Sequence, residues 1–243
     1  MDRTDRVAQY YSELYETSRP YTADPTVVGW LYSLLRRWEA HRTEVVSRLA
    51  RPGGALLDVG CGDGGLLERN LGRFEAVHGI DVAANRVDRA GALSDGRVHV
   101  QVGNIDAGLP YRDAAFDVVT CIAVLEHVFD PIALVHELAR VLKPNGQLIV
   151  EVPNVAFLSR RVGLLFGKMP RTAFNEPGWD GGHLHYFTFE NLEQLLVDNG
   201  FRITSRACAG IAHRLRSIRP QLLAADIILA ATKTCSPDPR VSS

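Results

Sequence analysis

Along the first fifty residues the apolar positions recur every three or four residues, in VAQYYSELYE and again in PTVVGWLYSLLRRWEAHRTEVVSRLA, which predicts amphipathic helices. Pro25 suits a first helical turn, and Pro52, Gly53 and Gly54 close the segment. The period then changes. ALLDVG is a short, continuous apolar run ending in glycine, the pattern of a strand buried on both faces. Beyond it the pattern predicts helix 64–71, strand 76–80, helix 84–93 and strands 98–102 and 116–122. A helix in PIALVHELARVL, a turn at KPNG and a strand in QLIVEV follow. Such alternation predicts an α/β fold, a parallel sheet with helices on both faces.

Residues 153–187 break the rhythm with prolines, glycines and aromatics, an insertion longer than an ordinary connection. TFENLEQLLVDNGF then restores a capped helix ending at Gly200, and FRITSRACA and AADIILAATK read as two more strands. The expected organisation is a helical lid over 1–50, a main domain over 51–235 that contains the insertion 153–187, and a frayed tail over 236–243.

Composition narrows the class. With 243 residues, 46% hydrophobic and 23% charged, the chain is long enough for a full core and too apolar for wholesale disorder. A net charge of −1 argues against a nucleic-acid or membrane-surface binder. The start MDRTDR lacks a secretory pattern, and LLAADIILAA is only ten residues long with Asp226 inside it, so a cytoplasmic protein is expected. Cys61, Cys121, Cys208 and Cys235 are widely spaced and predict neither a zinc site nor a disulfide framework.

LLDVGCGDGG carries the first candidate chemistry. Gly60, Gly62 and Gly65 satisfy the spacing of a dinucleotide loop, but Asp58 before the first glycine and Asp63 inside the loop would repel a pyrophosphate and suit a cationic ligand. Asp81, ending the next strand, can accept hydrogen bonds from both hydroxyls of a ribose, and Asp106 in GNID can meet an adenine amino group. On these motifs, together with FDVVTCIAVLEHVFDP and LKPNGQLIVEVPN, the chain resembles the class I S-adenosylmethionine-dependent methyltransferases over about residues 50 to 208. The resemblance implies a Rossmann-like, doubly wound, seven-stranded sheet of order 3-2-1-4-5-7-6 with its last strand antiparallel. It also implies a cofactor site built from Asp58, Gly60, Cys61, Gly62, Gly64, Asp81, Val82, Asn104, Ile105, Asp106 and Cys121, with Tyr11 and Tyr21 reaching in from the lid.

For the acceptor side, His127 in LEHV and His183 and His185 in GGHLHYF are the candidate bases. If HLHYF is extended, His183 and His185 share one side and could bind a divalent cation with Asp180 or Asp106. The segments 152–175 and 199–225 contain arginines and no acid, which suggests an anionic small molecule carrying phosphate or carboxylate, while HLHYFTFENLEQLLVDNGF resembles segments of biosynthetic sugar and small-molecule O-methyltransferases, which implies a sugar-containing one. The expected activity is O-methylation of a hydroxyl on a polar biosynthetic metabolite. PNVAFLSRRVGLLFGKMP also resembles MetW proteins, which work with an acyltransferase partner, and an NAD-dependent oxidoreductase is a third, weaker option. Self-association is left open by the sequence.

Overall fold

The computed structural model describes residues 39–93, 97–173, 180–211 and 218–234; of residues 39, 40 and 211 it describes the backbone alone. The lid tyrosines Tyr11 and Tyr21 and the tail lie outside the described residues.

The main sheet has seven strands: β2 (Ala55–Val59), β3 (Ala76–Asp81), β4 (His99–Val102), β5 (Phe116–Ile122), β6 (Leu142–Pro153), β7 (Phe201–Ala207) and β9 (Asp226–Lys233). Their order is β4-β3-β2-β5-β6-β9-β7, with β9 antiparallel to both neighbours. Renumbered within the sheet this is 3-2-1-4-5-7-6, the order the resemblance implies. A separate two-stranded ladder pairs β1 (Glu39–Ala40) with β8 (Gly210–Ile211). The helices are α1 (Arg42–Leu49), α2 (Gly65–Asn70), α3 (Ala84–Leu93), α4 (Pro131–Val141), α5 (Leu158–Leu165), α6 (Phe189–Asp198) and α7 (Pro220–Leu223). None of the described helices is long and apolar enough to cross a membrane.

The continuous apolar runs follow from two-sided burial. Leu57, Val59, Val119, Leu148, Val150, Ile227 and Leu229 join one core cluster, while the alternate residues Leu56, Val118, Ile149, Ile228 and Ala230 join the other. Each face is then covered by helices, α4 and α6 contributing Leu134, Leu138, Leu192 and Leu196 to the first. Val46 from α1 and Ala50 just past its end pack into the second cluster, beside Leu66 and Leu67 of α2.

Local chemistry sets the ends. Asp130 caps α4, its carboxylate accepting from the Ile132 and Ala133 amides with Pro131 in the first turn. Thr188 and Asn191 form a reciprocal capping box at α6. One detail differs from the sequence expectation: KPNG does not precede the fifth strand but lies within the span of β6. Asn145 there takes a left-handed φ of 61°, and the β5–β6 register slips between the Phe116 and Val118 pairings. The turn is absorbed as a bulge because residues on both sides of it still pair with β5.

Candidate active site

At the C-terminal ends of β2, β3, β5 and β6, where the strand order reverses, the described residues enclose a cavity of about 510 Å³. One half is the glycine loop. Gly60 and Gly62 have φ of 75° and 52°, so the chain leaves β2 in a left-handed turn. The Gly60 and Cys61 amides donate to the Ile80 carbonyl, tying the loop to β3. A Cβ on Gly60 would fall 2.3 Å from Val124 Cγ2. Gly60→Ala is therefore expected to lower stability by about 1–3 kcal/mol and weaken nucleoside binding, read by thermal melting and calorimetry. A variant with wild-type melting and affinity would contradict this packing. Gly64 serves another purpose: it does not line the cavity, and its φ of 83° lets α2 approach Ala90 of α3.

Three carboxylates rim this half. Asp58, fully buried opposite Thr120 on β5, accepts the Thr120 hydroxyl at 2.6 Å. Burial pushes its pKa up to about 7 against the lowering effect of that hydrogen bond, with the Asp81 charge adding to the rise. Asp81 accepts the Gly62 amide at 2.8 Å through Oδ2 and the Ala83 amide at 2.9 Å through Oδ1. Asp106 sits in a 3-10 turn capped by the Asn104 side chain, and its Oδ1 takes the Phe129 amide at 3.1 Å. Val82, Asn104, Ile105 and Cys61 complete this wall. Asp63, by contrast, is turned to Arg86 and Arg89 and is half exposed.

Cys121 is placed differently from the sequence expectation. Side chains alternate along β5, so Thr120 faces Asp58 while the Cys121 thiol goes into the opposite core cluster, fully buried and away from the cavity.

The other half holds acid and imidazole. His127 and His183 both line the cavity, their rings edge to face with centroids 4.6 Å apart. Burial, with the neighbouring His183 adding to it, lowers the His127 pKa to about 4 against a hydrogen bond to the Gly182 backbone. Burial also lowers that of His183, with Asp180 opposing. Glu126 is 1% exposed with neither carboxylate oxygen hydrogen-bonded among the described residues, and burial, reinforced by Glu151, holds its pKa well above the usual range. Glu151 lies 3.8 Å from Arg42, the two lining the same wall.

The insertion is fixed from beneath. Asn154, fully buried, donates to the Ala224 carbonyl at 2.8 Å, and the Leu184 and His185 amides both donate to the Glu126 carbonyl. Residues 183–187 are not a regular strand, so the two histidines part ways: His183 turns to His127, whereas His185 Nε2 meets the Val128 carbonyl at 3.0 Å and the ring stays out of the cavity. Asp180 also stays out of it, accepting the Thr172 and Ala173 amides. The grouping Asp180, His183 and His185 expected for a cation is therefore not assembled. The donor atoms that do converge, within 4.8 Å, belong to Glu126, His127 and His183.

The arginines of the two acid-free segments do not line the cavity either, among the described residues. Arg160 turns inward to the carbonyls of Asn154, Arg171 and Ala225, and Arg206 pairs with Glu193. The anionic acceptor expected from their charge thus has no support in where the described arginines Arg160 and Arg206 point. Sequence reasoning missed Arg42, Glu126, Glu151 and Thr172; Glu126 and Glu151 stood inside the quoted segments FDVVTCIAVLEHVFDP and LKPNGQLIVEVPN and were the two within reach of a motif.

A family model described as a methyltransferase domain matches residues 33–206, about 70% of the chain. The chain belongs to that family, the class I S-adenosylmethionine-dependent methyltransferases, and its sheet order and rimmed glycine loop accord with it. Ubiquinone biosynthesis O-methyltransferase of Idiomarina loihiensis is 34% identical over 164 residues, 65% of each chain. The protein of the same name from Xanthomonas campestris pv. campestris is 40% identical over 114 residues, 45% of this chain and 47% of that one. The match thus spans about half the length of such curated relatives. Among solved structures, magnesium protoporphyrin IX methyltransferase from Synechocystis PCC 6803, with bound SAH, superposes with a TM-score of 0.64 at 16% identity over 95% of this chain and 99% of that one. The [4+2]-cyclase SpnF reaches 0.61 at 19% identity, over 96% and 97%. A cyclase on the same fold means that the reaction must be argued from the site.

Proposed function

We propose that the chain transfers a methyl group from S-adenosylmethionine to a hydroxyl oxygen of a polar biosynthetic small molecule, a sugar or glycan intermediate among the candidates. The observation that carries the reading is one cavity with an acidic, glycine-lined half and an imidazole-lined half. S-adenosylmethionine supplies a methyl already activated on a sulfonium. Asp81 and Asp106 would hold the nucleoside, and Asp58 on the same rim would suit a cationic group. The acceptor oxygen forms a bond to the methyl carbon as the carbon–sulfur bond breaks, and its proton passes to a neutral imidazole, His183 or His127. Alignment and exclusion of water do the rest.

O-methylation is supported by the relatives, whose name specifies it for them. The identity of the acceptor is not carried over from that name. Glu126, Glu151 and Asp226 on the acceptor wall favour a ligand rich in hydroxyls over an anionic one.

The test is calorimetry with S-adenosylhomocysteine, then methyl transfer to a panel of sugars, phenols and hydroxy acids in the presence of EDTA. Binding, with transfer that survives EDTA, is expected. Loss in EDTA and rescue by a divalent cation would replace base catalysis with ligation by Glu126, His127 and His183. Binding with no transfer, and co-purification of an acyltransferase, would favour the MetW-like accessory role.

A further inference from the structure

GWDGGH is the motif that the cofactor site leaves unexplained. Asp180, Gly181 and Gly182 have consecutive left-handed φ values of 46°, 66° and 79°. The Asp180 carboxylate lies against the backbone of residues 172 and 173, and Gly182 at the end of this tight turn meets His127. Aspartate is among the few residues with a Cβ that visit the left-handed region, and the glycines tolerate the turn where side chains would not.

The carboxylate is 3% exposed and accepts three donors. These are the Thr172 amide at 2.8 Å, the Ala173 amide at 2.8 Å and the Thr172 hydroxyl at 2.7 Å. Although burial works the other way, these hydrogen bonds hold its pKa below the usual carboxylate value, so it is ionised and acceptor-only. The same hydroxyl oxygen lies 2.6 Å from His183 Nδ1, whereas Asp180 itself is 4.0 Å from that nitrogen, too far for a direct bond.

A hydroxyl has one proton. If it went to Nδ1, two lone pairs would face each other at 2.7 Å between Thr172 and Asp180. The proton therefore goes to Asp180, and the hydroxyl oxygen must accept from an Nδ1–H.

From this chain we propose that Asp180 and Thr172 are positioning residues that lock His183 as the Nδ1–H tautomer, leaving the Nε2 lone pair for the cavity that the ring lines. The arrangement performs the work a carboxylate does when it orients a catalytic histidine directly, with a threonine hydroxyl interposed. It deepens the proposed function, because a base must present a lone pair to the acceptor proton, and it rests on that reading only for its catalytic consequence.

Two readouts test it. In the full chain, ¹⁵N NMR of the histidine rings at neutral pH is expected to report a protonated Nδ1 and a bare Nε2 for His183. Thr172→Ser keeps that state and Thr172→Val loses the preference. Asp180→Asn, whose amide can donate to the Thr172 oxygen, turns the hydroxyl toward Nδ1 and inverts the tautomer. A wild-type ring protonated at Nε2 and bare at Nδ1 would overturn the proposal, whether or not an acceptor has been found. With an acceptor in hand, Thr172→Val is expected to lower kcat about 10-fold or more, with KM and S-adenosylhomocysteine affinity unchanged and Thr172→Ser restoring the rate. Undiminished kcat, or an equal loss of cofactor affinity, would reduce Thr172 to a structural role.

Discussion

Asp81→Asn is expected to weaken S-adenosylhomocysteine binding about 100-fold, the loss of roughly one to two charge-assisted hydrogen bonds at about 1.5–3 kcal/mol each. An ionised carboxylate offers about four lone-pair positions. Two are taken by the Gly62 and Ala83 amides, one on each oxygen, which leaves one on each for the two hydroxyls of a ribose. Asparagine keeps a single acceptor oxygen and sets its NH₂ against a backbone N–H, so it loosens the glycine loop and loses a ribose partner together. Calorimetry reads the affinity, and a melting curve near wild type separates the effect from unfolding. Affinity within threefold of wild type would remove Asp81 from the cofactor site.

His183→Ala is expected to lower kcat by about 100-fold or more, within the usual contribution of a general base, while leaving S-adenosylhomocysteine affinity within twofold. The base works neutral, and burial lowers the His183 pKa below its usual 6.5. The sign follows: the neutral form is the majority at pH 7, so the wild-type rate is level there and falls in acid, with a midpoint below 6.5. The variant loses that limb. Full kcat in His183→Ala would transfer the role to His127, whose pKa of about 4 would place the acid limb near that pH.

That Asp58, Asp81 and the glycine loop gather at one half of the cavity was legible because these residues sit where apolar runs stop. Asp58 and Asp81 are the acids at the ends of ALLDV and AVHGID, and a parallel sheet brings consecutive strand ends to one edge. Cys121 was misplaced by one step of strand alternation, which sends it to the opposite face from Thr120. The acceptor half was less legible because its contacts are set by a chain excursion rather than by a period. Thr172 is eight residues from Asp180, a separation that neither a helical nor a strand period marks as a contact. His185 looked equivalent to His183 on an alternating strand, but residues 183–187 are irregular and its ring goes to the Val128 carbonyl. The arginines misled for a similar reason: charge is visible in sequence, but direction is not, and Arg160 spends its guanidinium on backbone carbonyls.

The central claim is methyl transfer to oxygen across one cavity. Its most direct measurement supplies S-adenosylmethionine carrying a ¹³C methyl group, with the hydroxyl panel, and locates the label in the product by NMR. The account predicts a new labelled methoxyl signal that is lost in His183→Ala; label found on nitrogen or carbon, or no transfer to any hydroxyl by a protein that still binds S-adenosylhomocysteine, would contradict it.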